Sequence, residues 1–307
     1  MKKLFSLLYV SFALIVSANA QSLFNIQNPV LSNPAIANYN HSNSILNITQ
    51  IDNIPGSFAF GNNISYFTQI KSLNTSFTNN SYFSEYFNSY SQNVAVSKDI
   101  TIAGGKLYFG ASGYLASMSI KDENGSLFSK NAKSQLGYGL DLGLNYVIGN
   151  HQIGVGFDNV LSRSSLVDSA LDQTRYYPVN FRYQTTFFIR DIEIQPYLLY
   201  TAFISDEGHT PRVVRNYYPN NYSLVGLSAK YKGFKLGLLT NLDFPDITGA
   251  YLSYGAMLGY DFKKLSINYG TRFYYTGLDY TRSIRTISHN LSIRYQFNGV
   301  EKGTQLF

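Results

Sequence analysis

Apolar and polar residues alternate along this chain with a period of two, most regularly from Leu136 to Leu161. Leu136, Tyr138, Leu140, Leu142, Leu144, Tyr146 and Ile148 share one parity; Gly137, Gly139, Asp141, Gly143 and Asn145 share the other. After Gly149-Asn150 the alternation resumes, with Ile153, Val155 and Phe157 against Gln152, Gly154, Gly156 and Asp158. Side chains of a strand point alternately to its two faces, so this is a pair of strands joined by a tight turn. The second face is Gly, Asp, Asn and Gln, which would fill the core of a soluble β-sandwich poorly. Its many glycines suggest that something passes close to the wall there, such as a plug made by the chain itself.

The same pattern predicts strands over Ser44–Ile51, Ser57–Gln69, Asn93–Thr101, Lys106–Ile120, Val179–Arg190, Ile192–Phe203, Tyr222–Tyr231, Phe234–Asp243, Gly249–Phe262, Leu265–Tyr275 and Thr286–Phe297. Lys71 to Tyr90, rich in Asn, Ser, Tyr and Phe, reads as a long loop with room for one strand. Connections alternate as well. Gly149-Asn150, Arg190-Asp191, Lys232-Gly233 and Lys263-Lys264 are short, whereas Lys121–Gln135, Arg163–Tyr177 and Ser205–Asn221 are long and polar. Short turns on one side and long loops on the other describe an outer-membrane barrel whose short turns face the periplasm. The expected fold is all-β: a transmembrane antiparallel up-and-down β-barrel of fourteen strands, bacterial barrels having an even number. A soluble secreted β-sandwich is the rival architecture.

Composition supports an exported membrane protein. Lys2-Lys3, the apolar run Leu4–Val16 and Ala18-Asn19-Ala20 predict a cleaved signal peptide over residues 1–20. An Asn-Pro segment over 21–43, a barrel over 44–297 and a short polar tail over 298–307 are expected to follow. Charged residues make up 14% and aromatics 16%, with 27 Tyr, 22 Phe and no Trp. Few charges and many tyrosines suit a lipid-facing surface edged by aromatic girdles. There is no cysteine, hence neither a disulfide framework nor a lipidation site. Removal of Lys2 and Lys3 lowers the net charge from +6 to +4, with no basic run for nucleic acid to hold.

Catalytic and metal chemistry find little support. His289 and Ser292 form the one close His-Ser pair, and a spacing of three on a strand turns them to opposite faces. Asp206, Glu207 and His209 sit together in a loop, where a solvated charged surface is the commoner outcome. His41, His151, His209 and His289 lack metal-ligand spacing, and no cofactor motif is present. Asp141, Asp158, Arg182, Glu193, Lys235, Asp261, Arg272 and Arg294 all fall on the polar parity. They fit a hydrated channel, an ionic network holding a plug or a partner's tail, or wall charges that satisfy one another; the last is favoured because buried charge is usually paired.

Two end segments resemble the PorP/SprF family of type IX secretion outer-membrane proteins. Asn28-Pro29 and Asn33-Pro34-Ala35-Ile36-Ala37 resemble its Asn-Pro opening, with Asn38 where Gly is usual. His289 through Tyr295 and Phe297 resemble its closing strand, with Asn290 in place of Glu. Pro196, within Glu193–Leu199, matches an inner strand, with Tyr197 where Ser is common. The resemblance implies a non-enzymatic barrel without a cofactor that binds, exports or retains a large surface protein bearing a type IX C-terminal signal domain, or contacts the periplasmic parts of that machine, with gliding motility as a possible setting. Its expected surroundings are outer-membrane lipid, and no nucleic acid. A diffusion porin or small-solute channel is the alternative.

Overall fold

In a computed structural model of the chain, the residues described are 28–37, 43–54, 57–85, 87–120, 134–164, 176–205, 222–243, 252–276 and 284–297. The predicted signal peptide, the long loops with His209, and the C-terminal tail lie outside them. Fourteen antiparallel wall strands close into a barrel. They are β1 (Ser44–Ile54), β2 (Ser57–Ile70), β3 (Leu73–Phe83), β4 (Phe87–Ile102), β5 (Gly105–Ile120), β6 (Ser134–Ile148), β7 (His151–Ser164), β8 (Tyr176–Thr185, resuming after Thr186 as Phe187–Ile189), β9 (Ile192–Ser205), β10 (Tyr222–Tyr231), β11 (Phe234–Asp243), β12 (Leu252–Phe262), β13 (Leu265–Thr276) and β14 (Ile284–Gln296). Closure is made by β14 against β1, in register from Ser44↔Gln296 to Asn53↔Ile287.

Tight turns line one end of the barrel, and each starts with a residue at positive φ: Lys71, Ala103, Gly149, Arg190, Lys232 and Lys263. The left-handed conformation matches the twist of the flanking strands, which is why two-residue hairpins use it. The start of β1 and the end of β14 lie at the same end. Within Lys71 to Tyr90 the strand that the even count required is present, and the long loop around it is corrected. Lys71-Ser72 is a tight turn, β3 follows, and β4 begins at Phe87. Asn74, Ser76 and Thr78 of β3 are buried on the inner face, so the polar composition that suggested a loop is that of a lumen wall.

Outward residues are mostly apolar and exposed, as a lipid face requires, with Asn47, Thr49 and Asn62 as a hydrogen-bonded polar group on β1 and β2. Leu142, Leu144 and Ile153 are each about two-fifths exposed, whereas Asp141, Asn145 and Gln152 between them are buried. Aromatic rings collect near the strand ends. At the turn end Phe234 lies 4.7 Å from Tyr260, Lys232 sits over Tyr231 and Lys263 over Phe262. At the other end Phe83 contacts both Phe60 and Tyr90.

The ladder has one local irregularity. Leu140 pairs with Leu161 and Leu142 with Phe157, so Asp158, Asn159 and Val160 of β7 face Asp141 alone. Asn159 takes φ +60° at this bulge. Its main-chain N–H donates to Asp141 Oδ1 at 2.9 Å, and its side-chain oxygen accepts from the Tyr114 hydroxyl. A carboxylate thus replaces the missing ladder partner.

Candidate functional site

Residues 28–37 of the Asn-Pro segment lie inside the barrel. Pro29–Leu31 and Pro34–Ile36 each form a single 3-10 turn, closed by Leu31 N–H to Asn28 O and Ile36 N–H to Asn33 O, both 3.1 Å. Asn33 is the cap of the second turn: its backbone is extended and its Oδ1 accepts the Ala35 N–H at 3.0 Å. Pro34 follows at the first helical position, where its missing N–H is no loss. Local chemistry therefore explains the Asn-Pro-Ala sequence without reference to any partner.

Polar attachments hold this segment to the wall. Asn28 Nδ2 donates to Ser65 Oγ at 2.6 Å and Asn63 Oδ1 at 3.2 Å on β2. Asn33 Nδ2 donates to the main-chain carbonyl of Leu144 on β6 at 2.9 Å. Ser97 Oγ on β4 donates to the Ala37 carbonyl at 3.1 Å. An apolar cluster completes the seat: Val30 and Ala37 of the segment pack with Leu46, Ile48, Phe67 and Ala95 of the wall. These wall residues break the polar-inside pattern at the place where the segment covers them.

Glycines make the close approach possible. Gly110, Gly143 and Gly156 stand side by side on β5, β6 and β7. A Cβ on Gly110 would lie 2.2 Å from Ala35 N, one on Gly156 would lie 2.1 Å from Ser32 O, and one on Gly143 would lie 2.1 Å from Asn33 Oδ1. The wall is thinned to backbone along this row, and the plug rests on it.

The plug is anchored on the β1–β7 side. Across the lumen, the inner face of β9–β11 carries an apolar cluster of Tyr197, Leu199 and Leu224 with Leu239 packed against it. Tyr197 pairs in register with Gly226 and Leu239 with Gly255, and each of these glycines leaves room for its large neighbour: a Cβ on Gly226 would meet the Tyr197 ring at 2.1 Å, and one on Gly255 would meet Leu239 at 2.8 Å.

The inner charges are partly matched. Asp261 accepts from Lys230 at 2.6 Å and Lys235 at 2.7 Å. Arg272, fully buried, donates to Ser253 Oγ through Nε at 2.9 Å and Nη2 at 2.6 Å. Arg294 lies over the Phe67 ring at 5.5 Å. Asp141 accepts from Ser112 as well as Asn159, Asp158 accepts from Asn180 at 2.7 Å, and Asp52 accepts from Gln50, Tyr82 and Ser288. Glu193 accepts from Gln195 at 2.6 Å. Arg182 donates through Nη2 to Gln184 at 3.3 Å, while its Nε meets no acceptor. Mutual satisfaction therefore holds for Lys230, Lys235 and Asp261 and fails for Arg182.

The remaining residues singled out in the sequence are scattered. Pro196 is in β9 opposite Leu227. His289 is on the outer parity, its Nδ1 2.7 Å from the Tyr269 hydroxyl, whereas Ser292 is buried on the inner face, so the two point apart. Tyr295 and Phe297 are exposed and in contact at the turn end. Thus Asn28, Asn33, Pro34 and Ala35 share the plug, while Pro196, His289, Tyr295 and Phe297 belong to the wall and its rim.

No family model matches the chain, and no curated protein matches it. Among solved structures it is similar to the Pseudomonas putida toluene transporter TodX, with TM-score 0.51 and 12% identity over 87% of this chain and 92% of that one. It is also similar to the Ralstonia pickettii toluene transporter TbuX, with TM-score 0.53 and 9% identity over 89% and 94%. CdiB from Acinetobacter baumannii matches with TM-score 0.51 and 12% identity over 82% of this chain, which spans 60% of the CdiB chain. This is the fold of an outer-membrane β-barrel. Identities this low carry the barrel architecture and nothing finer. The resemblance to PorP/SprF proteins is overturned: no family model supports it, and the similar solved barrels are of other kinds. Its motifs have local causes, a capped 3-10 turn at Asn33-Pro34-Ala35 and an aromatic rim at Tyr295 and Phe297. With it, type IX secretion, an adhesin partner and gliding motility lose their basis.

Proposed function

We propose that this outer-membrane barrel is a channel for small solutes, gated by its own N-terminal segment. The carrying observation is a lumen with two unlike sides. One side seats a small plug held by a few hydrogen bonds and one apolar cluster. The other carries the buried apolar residues Tyr197, Leu199 and Leu224, with Leu239 against them, on its inner face and apart from the cluster under the plug. A barrel that served only as a scaffold in the membrane would have no need of an inward apolar patch. The resemblance to toluene transporters TodX and TbuX agrees in kind with a small-solute route. Polar contacts of the type that hold the plug contribute only ~0.5–1.5 kcal/mol each net, and burial of Val30 and Ile36 adds roughly 1.5–3 kcal/mol each, so a displaced plug needs a solute or a partner surface that offsets this seat.

Uptake into proteoliposomes tests the reading. Protein loaded into vesicles should admit a small polar solute that lipid holds back, such as arabinose, faster than protein-free vesicles. Gly110→Val, which puts a side chain into the plug seat, should raise the rate further. Equal rates for protein-free, wild-type and variant vesicles would refute it.

A further inference from the structure

The outward face of β1–β4 departs from the apolar pattern seen on β6, which turns only Leu, Tyr and Ile outward from Leu136 to Ile148. Asn47 and Thr49 of β1, Asn62 of β2, Asn79 and Ser81 of β3 and Gln92 of β4 share the outward parity of the exposed Ile45, Ile64, Phe77 and Val94. The ladder makes them one patch. Thr49 pairs with Asn62 and Asn62 with Ser81, while Asn47 pairs with Ile64, Ile64 with Asn79 and Asn79 with Gln92. Neighbouring strands stand about 4.8 Å apart, so four strands make a patch roughly 15 Å wide.

This patch lies within the lipid band. Toward the loop end, the Phe83 ring packs on Phe60 and Tyr90 at the aromatic boundary. Asn62 is two residues from Phe60 on the turn side, Gln92 two from Tyr90 and Asn79 four from Phe83. Toward the turn end follow Ile45, Tyr66, Phe77 and Val94, each about two-fifths exposed. Polar groups surrounded by hydrocarbon are costly unless a partner meets them. Part of the patch is satisfied internally: Asn62 Nδ2 donates to Asn47 Oδ1 at 2.8 Å and to Thr49 Oγ1 at 3.2 Å. The side-chain amides of Asn79 and Gln92, both exposed, have no hydrogen-bond partner among the described residues.

We propose that this patch is the contact face of a homodimer, formed in the outer membrane with a second copy of the chain. A carboxamide both donates and accepts, so a patch of amides is complementary to itself. A two-fold axis along the membrane normal sets the patch of one copy against that of the other at equal depth, an isologous contact. Asn79 and Gln92 then supply hydrogen bonds across the axis, and Ile45, Ile64, Phe77 and Val94 supply the apolar surround. A lipid tail offers neither donor nor acceptor, and lipid headgroups stay beyond the aromatic level. The face lies outside the lumen, so pairing and solute passage are separable.

The chain has no cysteine, so an introduced one reports proximity. Ser81→Cys lies in the patch; Leu227→Cys lies on the outward face of β10, on the opposite side of the barrel. Each full chain is refolded into vesicles containing this protein alone, at increasing lipid dilution, and treated with a short bis-maleimide. Ser81→Cys should give a cross-linked dimer that persists on dilution, and Leu227→Cys should stay monomeric. Adding Asn79→Leu and Gln92→Leu to the Ser81→Cys chain should lower the dilution that halves the cross-linked yield by about tenfold to hundredfold, as expected for membrane hydrogen bonds lost twice over across a two-fold axis. Both changes turn apolar groups toward lipid, so the barrel should fold as the wild type does, which the heat-modifiable band on electrophoresis reports. If the combined variant loses that band, Gln92→Leu alone carries the comparison. Equal cross-linking of Ser81→Cys and Leu227→Cys, no dimer from Ser81→Cys, or a yield untouched by the leucine substitutions overturns the proposal. A face met by lipid headgroups or by a different protein gives the second of these results.

Discussion

Asn33 donates its side-chain amide to the main-chain carbonyl of Leu144, 2.9 Å away and 111 residues further along the chain. The same side chain caps the second 3-10 turn through its oxygen. One residue thus holds the shape of the plug and its place in the barrel. Asn33→Ala removes both contacts, at a cost of roughly 1–3 kcal/mol for a cap and a hydrogen bond. The barrel wall keeps its own ladder, so the expected outcome is faster amide exchange at the plug residues 28, 30–33 and 35–37, which carry N–H groups, with the thermal midpoint of the barrel little changed. Hydrogen exchange with mass spectrometry reads both.

Gly110 and Gly156 are expected to be the least replaceable wall residues for plug seating. A Cβ at either would overlap plug backbone, at Ala35 N and Ser32 O respectively. Gly110→Val or Gly156→Val should displace the plug and accelerate solute uptake several-fold. Gly113, on the same strand with open space around its Cβ position, is the control. Gly113→Val should leave uptake at the wild-type rate.

The strand pattern was legible from the sequence because the two faces meet different surroundings. Leu142 and Leu144 against Asp141 and Asn145 could only be sorted one way once a membrane was inferred. β3 was legible only through the even strand count that called for a fourteenth strand, since Asn74, Ser76 and Thr78 line the lumen with the same residue types that make loops. Leu46, Ile48, Leu199 and Leu224 were not legible as inner residues. Their inward position depends on what stands across the lumen, a matter of tertiary placement that no single strand encodes. The glycines of β6 and β7 did signal a close neighbour, and the neighbour is the plug. The end motifs misled because a capped Asn-Pro turn and an aromatic rim are general solutions, used wherever a short turn or a membrane boundary requires them.

Asp261 joins Lys230 on β10 to Lys235 on β11 at the turn end of the lumen. The Lys235 and Asp261 side chains are 9% and 14% exposed, so solvent screens the pair only in part. Asp261→Asn strands two lysines and should destabilise the barrel by roughly 2–4 kcal/mol, somewhat below the usual figure for a fully buried pair. Asp261→Asn combined with Lys235→Met should recover part of that loss. Thermal unfolding followed by loss of the heat-modifiable band would show it.

Leu142 faces outward and is 39% exposed, next to the buried Asp141. Leu142→Arg puts a charge into the lipid near the middle of β6, at a cost of about 2–4 kcal/mol at the bilayer midplane. Refolding yield into lipid vesicles should fall for Leu142→Arg. The outward-to-outward change Leu142→Phe should refold as the wild type does. Equal yields from all proteins would mean that this face does not meet lipid.

The central claim is that the N-terminal segment closes a channel. The chain has no cysteine of its own, so an introduced pair reports cleanly. Ala37 and Ser97 touch through a hydrogen bond of 3.1 Å. Ala37→Cys with Ser97→Cys, oxidised, ties the plug to β4. Solute uptake into vesicles carrying this variant should fall to the protein-free rate when oxidised and return to at least the wild-type rate on reduction. Uptake that is the same in both redox states, with the disulfide shown to form, would contradict a gate made by this segment.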